Sequence, residues 1–70
     1  MYQILLFYKY VHIPEPEVFA REHRAICERY NLTGRIIISH EGINATCEGT
    51  LADTEAYMAE LQKDPRFQNV

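Results

Sequence analysis

Few side chains in this chain can do chemistry: two cysteines, three histidines, and seven lysines and arginines set against ten aspartates and glutamates. Neither Cys27 nor Cys47 belongs to a Cys-x-x-Cys pair, and neither follows a phosphate-type loop, the settings that depress a thiol pKa. Both fall on apolar faces, so buried free thiols are expected rather than a nucleophile. A Cys27–Cys47 disulfide is disfavoured in a chain whose composition reads as cytosolic. His23 and Cys27, spaced i,i+4, would point from one helical face and could supply half a metal site. No spacing draws His12 or His40 towards them. The expectation is a core thiol beside a packed imidazole, with no metal, no cofactor and no catalytic residue in this chain.

The cations offer a second chemistry. Arg21, Arg24 and Arg29 share one segment, and Lys9 and Arg35 lie outside it. Seven cationic against ten anionic side chains leave a net charge of −3, which opposes strong binding to RNA by this chain alone. Phe7 and Lys9 on one face of a strand would suit base stacking on a sheet. The hairpin strand that should complete such a platform reads Asn44, Thr46, Glu48 and carries no aromatic residue, so a Phe7 covered by protein is favoured. Glu41 and Asn44 flank the turn glycine Gly42. They can satisfy loop backbone groups or contact a partner.

The elements that must position these residues are punctuated clearly. Tyr2 to Tyr10 is rich in aromatic, β-branched and leucine side chains and reads as a strand. Alternation places Ile4, Leu6, Tyr8 and Tyr10 on one face and Gln3, Leu5, Phe7 and Lys9 on the other. Both faces are largely apolar, which implies cover on both. Glu15 to Tyr30 reads as a helix, with Pro16 at the first helical position. Phe19, His23, Ile26, Cys27 and Tyr30 form its apolar stripe, opposite Glu17, Arg21, Arg24 and Glu28. Gly34 is expected to be the left-handed residue that stops it.

Arg35 to Ser39 and Ile43 to Gly49 read as two strands of a hairpin turning at Glu41-Gly42. Thr50 through Lys63 reads as a second helix, capped by Thr50 or Asp53, with Thr54, Tyr57, Met58 and Leu61 inward. Its exterior is acidic, and Asp64-Pro65 ends it.

Strand, helix, strand, strand, helix is the split β-α-β plan lacking its last strand. The expected fold class is α+β: a ferredoxin-like (acylphosphatase-like) βαββα(β) sandwich with two helices on one face of an antiparallel sheet. Seventy residues, 47% of them hydrophobic and 24% charged, suit one small domain and exclude disorder. No apolar run approaches the roughly 18 residues of a membrane span. One core of this size supplies about 3–5 kcal/mol. The absent fourth strand would flank the first and would leave Tyr2–Tyr10 as an apolar edge. Residues 1–70 are therefore expected to be a fragment of a longer chain, or to form a homodimer through that strand.

Several segments carry a family resemblance: Phe7-Tyr8-Lys9-Tyr10, the helix bearing Cys27, Gly34-Arg35-Ile36, Glu41-Gly42-Ile43-Asn44 with Thr46 and Gly49, and Asp64-Pro65-Arg66-Phe67. Together they resemble the N-terminal domain of the rhodanese-related tRNA uridine hydroxylases. The resemblance runs over essentially the whole chain but covers only the leading part of the family's full-length proteins. It implies a cytoplasmic protein that uses molecular oxygen to form 5-hydroxyuridine at the wobble position of tRNA. The catalytic cysteine of that family lies in a downstream rhodanese domain, to which neither Cys27 nor Cys47 corresponds. The chain would then be a non-catalytic domain that packs on the rhodanese domain and helps position tRNA. Candidate RNA or domain contacts are Lys9, Arg21, Arg24, Arg35, Glu41 and Asn44.

Ala45 departs from the family pattern, which usually has glycine there. The methyl group is mild at negative φ and strained by about 1 kcal/mol or more at positive φ. A standalone interaction module that dimerises through the first strand is the alternative. An acylphosphatase is a remoter one. That family's catalytic asparagine would fall on Ile38, and the loop His12-Ile13-Pro14-Glu15 has no arginine or glycine to hold a phosphate.

Overall fold

In a computed structural model describing residues 1–70, β1 (Tyr2–Tyr10) leads into α1 (Pro16–Arg29), β2 (Thr33–Ser39), β3 (Gly42–Thr50) and α2 (Leu51–Leu61). A single 3-10 turn at Pro65–Phe67 follows. β3 is the central strand and pairs antiparallel with β1 on one side and β2 on the other. Both helices cover one face of this sheet, α1 along β2 and α2 across β3 and β1. The arrangement is the α+β, ferredoxin/acylphosphatase-like one, with three strands and the outer edge of β1 unpaired within the chain. No helix is long and apolar enough to cross a membrane.

The inner face of the sheet is set by β3, whose Ile43, Ala45 and Cys47 are all buried. Ile43 and Cys47 form one core with Ile13, Tyr57, Leu61 and Phe67, and Leu5, Phe7, Ile36 and Ile38 pack against it. β1 follows in register. Gln3, Leu5, Phe7 and Lys9 are half-buried beneath the helices, while Tyr2, Ile4, Leu6, Tyr8 and Tyr10 are exposed. The ring of Phe7 lies 6.5 Å from that of Tyr57, so Phe7 is core and takes no part in an open platform. The side of β1 that faces outward is the tyrosine side.

Local chemistry explains the element boundaries. Pro16 opens α1 at a position whose N–H would be unpaired in any case. At the other end Asn31, not Gly34, is the left-handed residue, with φ 57°. Leu32 N–H donates to the Cys27 carbonyl at 2.9 Å and Asn31 N–H to the Glu28 carbonyl at 3.2 Å, the paired bonds of a Schellman stop. Asparagine tolerates this conformation because its short polar side chain can bond locally. Gly34 serves a different purpose inside β2. Its φ is +132°, and a Cβ there would lie 2.7 Å from the Cα of Cys47. Ala45, by contrast, is not among the positive-φ residues, so its methyl group sits in the core without backbone strain.

Thr50 caps α2, its Oγ1 accepting from the Asp53 N–H at 3.1 Å, while Asp53 lies in the first turn. Thr54 Oγ1 donates to Gln3 Oε1 at 2.6 Å and ties α2 to β1. Beyond α2 the Arg66 guanidinium donates to both carboxylate oxygens of Asp64, most closely at 2.7 Å, and lies 5.0 Å from the centroid of the Phe19 ring. That bidentate pair holds the Asp64 carboxyl below its ordinary pKa, and the guanidinium's place beside the Phe19 ring ties the last turn to α1.

Candidate functional site

The structure divides the six candidate contact residues among three places. Glu41 and Asn44 meet on the open face of the sheet, at the hairpin end. Cross-strand register makes Tyr8, Asn44 and Ile37 one row and Tyr10, Gly42 and Ser39 the next. Gly42 leaves the middle of the second row without a side chain. A shallow depression of about 250 Å³ opens there, lined by Tyr8, Tyr10, Ile37, Ser39, Glu41 and Asn44. Arg35 is on the same face, level with Thr46 and Leu6. The loop's own hydrogen bonds are made by Ser39 and His40: Ser39 Oγ accepts from the Glu41 N–H at 3.2 Å, and His40 Nδ1 lies 3.2 Å from the Ile13 carbonyl oxygen. The Glu41 and Asn44 side chains are exposed.

Arg21 and Arg24 lie elsewhere, along a groove of about 740 Å³ between α1 and the β2 edge, with Cys27, Leu32, Ile36 and Ile38 beside them. Arg29, the third arginine of the helix, stays largely exposed and pairs with Glu60 at 3.9 Å. Lys9 stands on the helix side of β1 opposite Ile43. It and Arg35 therefore occupy opposite faces of the sheet and form no joint patch.

Tyr8, Tyr10 and Ile37 are contact-capable residues that sequence reasoning missed. They are 69%, 80% and 52% exposed. The signal was available in the alternation of β1, but it needed the inward set Ile43, Ala45 and Cys47 on β3 to say which side of β1 is covered.

Both cysteines are free, Cys47 buried and Cys27 half-buried. Burial, reinforced by the neighbouring Cys47 and Glu28, pushes the Cys27 thiol up to about 11, and burial raises Cys47 as well. His23 is buried, and its Nε2 shares a 2.6 Å hydrogen bond with the Tyr57 hydroxyl. The imidazole is thus committed to the core, stacked on Phe19 at 5.5 Å.

Burial lowers the His23 pKa below its ordinary value of 6.5. The unfolded chain therefore binds this proton more readily than the folded one, and stability rises with pH through the interval below 6.5. His23 contributes fully above that value and loses its contribution as the medium becomes acidic. Urea midpoints measured at pH 7.5 and 5.5 should fall at the lower pH, and His23→Gln should flatten the His23 part of that dependence.

Two backbone donors of the loop after β1 are engaged by the hairpin. Val11 N–H donates to the Glu41 carbonyl at 2.9 Å and Ile13 N–H to the His40 carbonyl at 3.1 Å. Those donors are consumed by the hairpin, and residues 11–15 include no cation.

Comparison with known proteins extends along the whole chain. A family described as the UPF0176 acylphosphatase like domain matches residues 2–70. The chain is 53% identical over 68 residues to the tRNA uridine(34) hydroxylase of Enterococcus faecalis, covering 97% of this chain and 22% of that protein. It is 49% identical over 69 residues to the protein of the same name from Bacillus licheniformis, covering 99% of this chain and 21% of that one. The corresponding Staphylococcus aureus protein is 51% identical over 69 residues, with 99% and 22% covered. The chain spans about a fifth of the length of the curated relatives it matches.

Proposed function

The chain belongs to the UPF0176 acylphosphatase-like domain family, and from that premise we propose that it serves as the non-catalytic N-terminal domain of a tRNA uridine(34) hydroxylase. The observation that carries this reading is identity of 49–53% along 97–99% of the chain to proteins of that name. Two features of the chain agree with a non-catalytic role: burial raises both thiol pKa values, and the hairpin engages the Val11 and Ile13 N–H groups of the loop after β1. Oxygen-dependent formation of 5-hydroxyuridine at the wobble position is then the work of the rest of the polypeptide, in a rhodanese domain. This domain packs against that one and helps to position tRNA in the cytoplasm.

Arg21 and Arg24 are the cations best placed to meet RNA phosphates, because they stand side by side on an open groove. Cells lacking the whole gene should lose 5-hydroxyuridine from tRNA where no second route makes it; unchanged levels there would sink the assignment. Arg21→Glu with Arg24→Glu in the full-length protein should raise the KM for tRNA by about tenfold or more, from the loss of two phosphate contacts, and should soften its salt dependence. An unaltered KM removes these two residues from the interface.

The unpaired β1 edge favours a second reading, a module that dimerises through Tyr2–Tyr10. A concentration-dependent dimer in sedimentation, abolished by Leu6→Lys, would support it, and a monomer at all concentrations would dismiss it.

A further inference from the structure

Resting on the tRNA reading above, we propose that the depression at the hairpin end of the open sheet face is a seat for one unpaired nucleobase. Its walls are the complement of a base. The rings of Tyr8 and Tyr10 are 5.7 Å apart and inclined at 67°, and both are largely exposed. One can therefore offer a π-face while the other closes the side. Stacking of this kind accepts any base, since each has a π-face of its own. The floor is Gly42, which places no side chain between Tyr10 and Ser39.

Polar groups with spare bonding capacity surround that floor. Asn44 can both donate to and accept from a base edge, and Glu41 accepts only. The Ser39 oxygen already accepts from the Glu41 N–H, so its O–H remains to donate. The cation lies apart from the carboxylate. Arg35 is two residues along β2 from Ile37, roughly 7 Å at strand spacing, where the phosphate of the seated nucleotide can reach it without meeting Glu41.

A protein cover fits this end of the sheet less well than a base does. It would bury Asn44, Glu41 and Ser39 beneath an apolar surface and leave their bonding groups unmatched. Farther along β1, Ile4 and Leu6 stand opposite Glu48 and Thr46, while Tyr8 and Tyr10 flank Asn44 and the bare Gly42. Only single-stranded RNA can enter, because a paired base hides both its edge and its face.

The test uses the full-length polypeptide with two probes, oligouridine and the same RNA annealed to its complement. Ultraviolet irradiation should crosslink the single strand to the peptide containing Tyr8 and Tyr10, and the duplex should not compete. Tyr8→Ala and Asn44→Ala should each weaken oligouridine binding by about tenfold, with unchanged circular dichroism. Tyr8→Phe, which keeps the ring, should bind like the wild type. Crosslinks confined to the Arg21–Arg24 peptide, or wild-type binding by both alanine variants, would overturn the proposal. Hydroxyl-radical footprinting showing the Tyr8 and Tyr10 side chains shielded in the RNA-free protein would overturn it in favour of protein cover. All three results are compatible with loss of 5-hydroxyuridine in cells without the gene, so this inference can fail while the broader assignment stands.

Discussion

Gly42→Ala is expected to abolish cooperative folding of the domain. Gly42 sits at φ +144°, and a Cβ there would collide with the Lys9 carbonyl oxygen and lie 3.1 Å from the Tyr10 Cα. The conformation alone costs an alanine about 1–3 kcal/mol. The collision is with backbone, so it can be relieved only by parting β1 from β3 at the turn, where their pairing ends. A core of this size supplies about 3–5 kcal/mol in total, so the two penalties together remove most of it. Thermal unfolding followed by circular dichroism should show no sigmoidal transition, or a midpoint lowered by more than about 10 °C. Gly49→Ala is the contrasting variant. Its Cβ would meet the flexible Leu32 Cδ2 at 2.7 Å, and a small side-chain shift relieves that contact. Equal midpoints for Gly42→Ala and the wild type would show that the turn is not held in this conformation.

The second large effect is expected from Tyr57→Ala. Tyr57 is fully buried, against Phe7 on β1 and His23 on α1. It is where the two helices and the sheet meet. Truncating a buried aromatic ring costs about 3–5 kcal/mol, comparable with the whole stability of so small a domain. Tyr57→Phe separates packing from hydrogen bonding. It keeps the ring and strands the His23 Nε2, a loss of about 1–3 kcal/mol. Denaturant midpoints should therefore rank wild type, then Tyr57→Phe, then Tyr57→Ala, with the last largely unfolded in buffer. If the phenylalanine variant matched the wild type, the bond to His23 would contribute nothing net.

Most of the architecture was legible in the sequence because periodicity and punctuation agree. The helical stripe from Phe19 to Tyr30, the isoleucine run before Glu41-Gly42 and the Thr50 cap each point to one local structure. Two assignments needed the tertiary fold. Asn31 and Gly34 are both able to adopt positive φ, and only the approach of β2 to Cys47 shows that Gly34 is required within the strand. The faces of β1 are both apolar, so periodicity divides them without saying which is inner; α2, through Tyr57, decides it. That ambiguity is why Phe7 stood as a stacking candidate while Tyr8 and Tyr10 did not. Glu41 and Asn44 were found because polar residues at a glycine turn are conspicuous in sequence. Their tyrosine neighbours come from another strand and are brought beside them only by the register.

The suppressed acidity of the cysteines has a practical corollary. At neutral pH a thiol with a pKa of about 11 is ionised to roughly one part in ten thousand, and the thiolate is the form that alkylating probes attack. Maleimide should therefore attack Cys27 slowly in the folded chain, and a single cysteine introduced on the surface should label ahead of it.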